Sequence, residues 1–209
     1  MKKTILRHLF KGILNSIALP LRFTLSHKAI NRIGLKSLKD ERIERVLYHC
    51  SGTVIDIGCG EGNELINRYK FSGFSGIGID VYKWDGVDIV CDTTQLPFSD
   101  GSFQTVTMVA VLNHIVEREK VLKECHRVLK DGGIIIITML NPFIGFIRHK
   151  LAWWDKDQHE RGMQHGEIFG MTKNSITHIL SSCGFCKIHR NRFLYGLNNI
   201  YIAHKKVLD

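Results

Sequence analysis

Residues 54–63 read VIDIGCGEGN: a carboxylate, Asp56, lies within an apolar run, and three glycines, Gly58, Gly60 and Gly62, then alternate with Cys59 and Glu61. The apolar residues around Asp56 are typical of a buried strand, so the glycines occupy the turn that follows it. Glycine has no Cβ and therefore lets a ligand approach the backbone. The spacing differs from the G-x-G-x-x-G of dinucleotide-binding loops, and a carboxylate beside the loop repels phosphate. The pattern predicts a site for a ligand that carries positive charge.

Two more carboxylates and a histidine follow later strand patterns. Asp80 ends GIGID, Asp92 follows IVC, and His114 comes after TVTMVA. In an open α/β sheet, ligands bind beyond the carboxyl ends of the strands. Each residue also has a structural interpretation: Asp80 as a helix N-cap, Asp92 as a turn former and His114 as a side chain bonded to a loop carbonyl. Their joint placement favours binding roles for the two aspartates, and the role of His114 stays open.

Strand and helix patterns alternate through most of the chain. A helix over 36–50 precedes a strand over 53–57, and then come a helix over 63–69, strands over 74–79, 87–91 and 105–110, a helix over 117–129 and a strand over 133–139. This alternation predicts a parallel sheet with helices on both faces. The tail has a helix over 172–182, N-capped by Thr172 or a neighbour, and strands over 187–192 and 199–204 that a short loop makes antiparallel. We therefore predict an α/β, doubly wound sheet.

The positive charge of the chain lies at its N-terminus. Residues 1–39 hold nine Lys and Arg and no acid, while residues 40–209 hold 20 residues of each sign. Apolar residues between Ile5 and Ile17 recur at helical spacing, with Lys3, Arg7 and Lys11 on another face. Such a basic amphipathic arm either caps the domain or binds an anionic membrane surface, and nucleic acid is a third option. We divide the chain into this arm, residues 1–39, and a domain over 40–209 with an insertion over 141–171.

Four segments occur in a characteristic order: DIGCGEG, GIGIDVY, CDTTQLPFSDGSFQTVTMVAVLNHI and HRVLKDGGIIIITM. They resemble the motif series of class I S-adenosylmethionine-dependent methyltransferases. The nearest branch is methyltransferase type 11, a small-molecule branch that includes quinone-biosynthesis enzymes. The resemblance covers roughly residues 50–140. It implies a Rossmann-like, seven-stranded sheet that is mostly parallel with an antiparallel last strand, and S-adenosylmethionine as the cofactor.

The resemblance also implies roles for single residues. Asp56 would face the ammonium group of the cofactor, directly or through water, and Asp80 would accept hydrogen bonds from both ribose hydroxyls. Asp92, with Thr93 beside it, would take the adenine amino group. The cofactor-binding residues implied are Asp56, Gly58, Cys59, Gly60, Asp80, Val81, Asp92 and Thr93. Relatives often have a glutamate before the histidine that follows the fourth strand, whereas this chain has Asn113.

Methyl transfer to a hydroxyl or an acidic carbon needs a base that works near neutral pH, and we predict that His114 is this catalytic residue. No metal is required for this chemistry, and the lone CxxC at 183–186 has no second pair at zinc-like spacing. The insertion adds a polar stretch with His159, His165 and Glu167, which form either a second polar site or a solvated loop. Two tryptophans at 153 and 154 either line an acceptor pocket or anchor the insertion.

The expected function is therefore methyl transfer to a small molecule, a lipid or a lipid-linked glycan. Two alternatives are an RNA methyltransferase and a non-catalytic regulatory subunit that binds S-adenosylmethionine. An Asn-Pro-Pro-aromatic element, which holds a flipped base, does not follow the fourth strand, so we do not expect a nucleic-acid acceptor. The chain shows no signal peptide and no apolar run of transmembrane length, so we expect a cytoplasmic protein, which is peripheral at the membrane if residues 1–39 bind a lipid surface instead of capping the domain.

Overall fold

A computed structural model describes residues 17–151 and 166–206. The strands are β1 (Val54–Ile57), β2 (Gly76–Asp80), β3 (Ile89–Val90), β4 (Phe103–Val109), β5 (Leu129–Leu140), β6 (Phe185–Phe193) and β7 (Asn198–Lys205). The α-helices are α1 (Leu19–Thr24), α2 (His27–Arg32), α3 (Leu38–Leu47), α4 (Glu64–Phe71), α5 (Arg118–Val128), α6 (Pro142–Leu151) and α7 (Lys173–Ser182). A 3-10 turn spans Leu112–His114.

The strands form one seven-stranded sheet in the order β3-β2-β1-β4-β5-β7-β6. Strands β1 to β5 pair in parallel, whereas β7 lies antiparallel between β5 and β6. This arrangement confirms the predicted fold class. The carboxyl ends of β1, β2 and β4 lie side by side, because Ile57 is level with Ile79 and Asp56 is level with Thr107. The glycine loop and the turn that holds His114 therefore leave the same edge of the sheet.

Each face of the sheet is covered by helices. Alternate residues of a strand point to opposite faces, so Ile55 and Ile57 join a core cluster with α5 and α7, while Val54 joins a second cluster with α3 and α4. All four residues of β1 are buried, which explains why its sequence is almost entirely β-branched and apolar. Asp56 is the exception, and by the same alternation it lies on the α3 and α4 side of the sheet.

Several elements extend beyond the range that the sequence predicts. Strand β5 begins at Leu129, directly after α5, because Leu129 pairs with Phe103 before the register shifts. The residues Lys-Asp-Gly-Gly that follow have the composition of a turn, which hid this first part of the strand. Helix α6 forms the first part of the insertion, and Thr172 caps α7 by accepting a hydrogen bond from the Ser175 amide at 3.2 Å, as the sequence predicts. The predicted sites at 153–154, 159 and 165 lie outside the described residues.

Part of the N-terminal basic segment packs onto the domain. Arg22 is buried, its Nη2 lies 2.7 Å from Oε2 of Glu41, and its Nε donates to the carbonyl of Lys36 at 2.7 Å. Lys36 forms an ion pair with Glu44, which lies in α3 as Glu41 does. The residues before 17, which carry most of the predicted amphipathic helix, lie outside the described range, and the boundary at residue 39 stays a prediction. Within the described ranges, every helix is too short or too polar to cross a bilayer.

Candidate active site

The glycine loop closes onto the end of β2. The amides of Gly58 and Cys59 donate to the carbonyl of Ile79 at 2.8 and 3.0 Å, and the Gly60 amide donates to Oδ2 of Asp80 at 3.0 Å. Gly58 and Gly60 have φ values of 71° and 64°, in the left-handed region that residues with a Cβ avoid. The glycines therefore let the backbone turn sharply enough to bring the loop against the Asp80 carboxylate.

The two glycines differ in what surrounds them. A Cβ at Gly58 would lie 2.6 Å from both methyl carbons of Val111, so the turn that leads to His114 packs directly on the loop. A Cβ at Gly60 would meet no atom within 4 Å. Gly58 is thus needed for internal packing, whereas Gly60 borders open space that a ligand can occupy.

This difference predicts opposite results for two alanine variants. Gly58→Ala should lower the free energy of unfolding by about 1–3 kcal/mol more than Gly60→Ala, because only Gly58→Ala adds overpacking to the shared cost of left-handed backbone. Gly60→Ala should instead weaken binding of S-adenosylhomocysteine more than it lowers stability. Urea unfolding and calorimetry on both variants measure the two effects. Equal losses of stability would contradict the assignment of Gly58 to packing.

Asp56 is a buried carboxylate without an ion pair among the described contacts. It is 3% exposed, and its Oδ1 accepts a hydrogen bond from Oγ1 of Thr107 at 2.6 Å. Burial raises the pKa of Asp56 to about 7, the hydrogen bond from Thr107 opposes this rise, and the charge of Asp80 adds to it. A cation placed beside Asp56 would favour its ionised form. The site is therefore suited to an ammonium group.

Asp80 is 6% exposed and accepts one backbone hydrogen bond at each carboxylate oxygen, from Gly60 and, at 3.0 Å, from Tyr82. Because a carboxylate oxygen has two acceptor positions, one position on each oxygen remains for a further donor. The helix N-cap interpretation of Asp80 is not what the structure shows, since these contacts hold a loop and a turn. Two adjacent acceptor positions match a pair of neighbouring hydroxyls.

Asp92 is exposed and forms a turn, as its structural interpretation predicts. Its Oδ1 accepts hydrogen bonds from the amide and from the hydroxyl of Thr94, both at 2.8 Å, and these bonds lower the pKa of Asp92. Its other oxygen makes no hydrogen bond within the described part of the chain, so it can still accept one. Thr93 beside it is buried, and Val81, after β2, is 51% exposed.

The thiol of Cys59 lies close to several carboxylates. Partial burial, followed in size by the charges of Asp56, Asp80 and Asp88, raises the pKa of Cys59 to about 12. The thiol is therefore protonated at neutral pH and is a poor nucleophile. Cys59 can contribute shape and backbone contacts to the loop.

A group of contacts that the sequence did not predict holds the start of α4. Asn63 has a φ of 44°, is fully buried, and donates from Nδ2 to Oδ2 of Asp88 at 2.9 Å. The same Asp88 oxygen accepts from the Gly78 amide at 2.8 Å. A Cβ at Gly78 would lie 2.1 Å from Oδ1 of Asn63, so only glycine fits there. A glycine inside a strand often marks such a close approach, and this signal could have identified the contact.

His114 ends the 3-10 turn beyond β4. Its Nδ1 lies 3.4 Å from Oε2 of Glu167, and its side chain is 36% exposed, whereas the side chain of Glu167 is 2% exposed. The sequence placed Glu167 in a separate polar site or a solvated loop, and the structure instead places it beside His114. Asn113, in the position where relatives often have a glutamate, contributes its backbone carbonyl, which accepts from the Ile168 amide at 3.0 Å.

These groups fit S-adenosylmethionine. The buried carboxylate of Asp56 suits the ammonium group, the remaining acceptor positions of Asp80 suit two ribose hydroxyls, and the second oxygen of Asp92 suits an amino donor. The open space at Gly60 lies next to Asp80, where a nucleoside would need backbone without a side chain. The individual roles of these residues remain predictions that mutagenesis can test.

Known proteins to which this chain is similar are methyltransferases. The model of a methyltransferase domain family matches residues 22–190. The chain is 27% identical over 142 residues to the ubiquinone/menaquinone biosynthesis C-methyltransferase UbiE of Desulfotalea psychrophila, covering 61% of this chain and 55% of that protein. It is 26% identical over 166 residues to the ubiquinone biosynthesis O-methyltransferase of Pseudomonas paraeruginosa, covering 60% of this chain and 70% of that protein. The chain thus spans about half the length of the first relative.

Among solved structures, the PH0226 protein of Pyrococcus horikoshii OT3 has the same fold. The TM-score is 0.64 at 21% sequence identity, with 87% of this chain and 93% of that chain covered. The family match includes the glycine loop, all three aspartates, His114 and Glu167. The chain therefore belongs to the methyltransferase domain family and is a member of the S-adenosylmethionine-dependent methyltransferases.

Proposed function

We propose that this protein transfers the methyl group of S-adenosylmethionine to an amphiphilic small molecule, such as a quinone precursor, another lipid or a lipid-linked glycan. The observation that carries the proposal is the Asp80 carboxylate. Each of its two oxygens accepts one backbone hydrogen bond, from the Gly60 or the Tyr82 amide. Each oxygen also has a second acceptor position, which is available to a ribose hydroxyl of the cofactor. When bound, S-adenosylmethionine supplies a methyl group on a sulfonium, which is already an activated leaving group.

The chain's own residues then have three tasks. Asp56 and Asp80 orient the cofactor, His114 takes a proton from the acceptor, and the residues beyond β4 and β5 hold the acceptor in line. Two observations support this role for His114: its turn packs on the glycine loop through Val111, and its ring is partly open to solvent. Orientation alone accounts for a large share of the rate enhancement in reactions of this kind.

Exposed apolar side chains near the same edge support an amphiphilic acceptor. Val116, just beyond the turn of His114, is 54% exposed, and Phe143, at the start of α6, is 68% exposed. Phe146 in the same helix is 39% exposed and contacts Phe169 edge to face, with ring centroids 5.3 Å apart. Large exposed apolar groups beside a site indicate a partner with apolar surface. The two curated relatives, which are named for quinone biosynthesis, support the same class of acceptor.

We further propose that residues 1–39 bring the protein to an anionic membrane surface on the cytoplasmic side. Lys28 and Arg32 of α2 are exposed, and Ile33 beside them is 56% exposed, a combination that suits a lipid interface. Arg22 does not contribute, because it is buried against Glu41. An amphiphilic acceptor would be most available at such a surface.

The proposal predicts where a labelled methyl group goes. Purified protein is incubated with S-adenosylmethionine labelled in its methyl group and with either a total lipid extract or bulk RNA from the host. We expect the label in the lipid extract, on a molecule whose mass rises by about 14 daltons, and we expect the protein to float with anionic vesicles at low salt. Label in RNA would overturn the lipid assignment. Intact binding of S-adenosylhomocysteine without transfer in either arm would favour the regulatory-subunit alternative.

A further inference from the structure

Glu167 and His114 are brought together across 53 residues of sequence. Nδ1 of His114 lies 3.4 Å from Oε2 of Glu167, at the outer limit of a hydrogen bond. Hydrogen bonds of catalytic groups are often long in the absence of ligand and shorten in the reacting complex. The geometry leaves Nε2, the other ring nitrogen, on the side of the ring away from the carboxylate.

The backbone on both sides of Glu167 is tied to the turn that carries His114. On one side, Nη2 of Arg118 donates to the carbonyl of Gly166 at 2.9 Å and to that of Asn113 at 3.2 Å. On the other side, the Ile168 amide donates to the same Asn113 carbonyl at 3.0 Å. Arg118 also donates from Nε to the carbonyl of Leu112 at 3.1 Å. These hydrogen bonds fix the position of Glu167 relative to His114.

The burial of Glu167 also requires explanation. Its side chain is 2% exposed, and a carboxylate withdrawn from water is costly unless charged or hydrogen-bonding groups compensate it. The Arg118 guanidinium is close enough for the Glu167 charge to raise its pKa, although burial has the larger effect and lowers it. A surface loop would not need a buried acid at this position, whereas a histidine that becomes positively charged during a reaction would benefit from one.

We propose that Glu167 is a positioning residue that holds His114 with Nδ1–H directed at its carboxylate, so that the Nε2 lone pair faces the acceptor. This inference rests on the proposed function. The acceptor X–H proton passes to Nε2, and X bonds to the methyl carbon as the methyl–sulfur bond breaks. Sulfur keeps the electron pair of that bond and leaves as a neutral thioether, and the imidazolium later returns its proton to water. The Glu167 carboxylate stabilises the imidazolium.

The first test is the tautomer of His114, which needs neither cofactor nor acceptor. The ring nitrogens of the full-length protein are observed by ¹⁵N NMR at a pH where imidazole is neutral, and the His114 signals are assigned by their loss in His114→Asn. We expect mainly the Nδ1–H tautomer in the native protein. In Glu167→Gln and Glu167→Leu we expect the Nδ1–H population to fall. An unchanged tautomer population in both variants would overturn the proposal.

The second test separates positioning from folding. Glu167→Gln should lower kcat roughly 10- to 100-fold, part of the about 10²–10⁴-fold that general-base catalysis contributes, with KM and the affinity for S-adenosylhomocysteine nearly unchanged. The matched control is Glu117→Gln, a carboxylate three residues from His114 that is 50% exposed and pairs with Lys120. The control should leave kcat and tautomer unchanged. A native kcat in Glu167→Gln would overturn the inference. Absence of turnover in the native protein would instead count against the proposed function. The tautomer measurement would still test the role of Glu167, because it does not depend on turnover.

Discussion

Replacing Asp80 by Ala is expected to reduce the affinity for S-adenosylhomocysteine roughly 10²- to 10⁴-fold, because two hydrogen bonds to a charged acceptor contribute about 1.5–3 kcal/mol each. Asp80 serves the ligand and the loop together, since it already accepts hydrogen bonds from the amides of Gly60 and Tyr82. Its loss removes the ribose acceptors and also releases the loop that approaches the ligand. Isothermal titration calorimetry measures the affinity directly.

Asp80→Asn is a sharper variant of the same experiment. The asparagine side chain has one oxygen and one NH2 group. In either orientation the NH2 group therefore faces the backbone N–H of Gly60 or of Tyr82, and two hydrogen-bond donors oppose each other. We therefore expect Asp80→Asn to lose affinity almost as strongly as Asp80→Ala. The surface variant Asp100→Ala, whose native side chain is 80% exposed, should bind as the native protein does. Urea unfolding of each variant distinguishes lost affinity from lost structure, and affinity within about threefold of native for Asp80→Ala would refute the ribose assignment.

Asp56→Asn is expected to make the cofactor-free protein more stable at alkaline pH while weakening its affinity for the cofactor. Burial raises the pKa of Asp56 from its ordinary value of 3.8 to about 7, so between these pH values the unfolded chain is ionised at this group and the folded chain is protonated. The folded state binds more protons, and the native protein therefore loses stability as the pH rises through this window. The asparagine variant has no such loss.

The size of this effect follows from linkage. Each unit of pKa difference corresponds to about 1.4 kcal/mol, so the stability of Asp56→Asn relative to native should rise by up to about 4 kcal/mol between pH 4 and pH 8. Urea unfolding across this pH range measures it, with Asp131→Asn as the control, because that carboxylate is 78% exposed. Calorimetry at pH 8 should show weaker binding of S-adenosylhomocysteine, since a neutral amide cannot pair with the ammonium group. A pH-independent difference in stability would show that Asp56 titrates normally.

Local features of the site could be predicted from the sequence. The strand β1, the glycines and Asp56 lie within a few residues of one another, so alternation, turn chemistry and charge can be combined in one short window. Asp80 could be located because it ends a second strand pattern. The sheet order could not be obtained from periodicity, since periodicity identifies strands and not their neighbours. The short loop between the last two strands predicted that they are antiparallel, and the resemblance to a known family implied the seven-stranded sheet.

Long-range contacts account for what the sequence did not reveal. The contact of Glu167 with His114 depends on Arg118 and on the backbone around Asn113, and no local pattern marks it. Arg22 belongs to a run without acids, which indicates an exposed basic surface. Its partner Glu41 lies in the next acidic stretch, and only the packing of α1 against α3 brings the two together. Such pairs are properties of the tertiary fold.

The position of β7 has a consequence for biosynthesis. Because β7 pairs with β5 along Ile134–Ile137 and also with β6, the central part of the sheet keeps an unpaired apolar edge until residues 198–205 have been translated. An unpaired edge of consecutive isoleucines is a template for association with other chains, so we expect the nascent protein to be prone to association until β7 has formed. A truncation that removes this strand should yield aggregates instead of a smaller soluble domain.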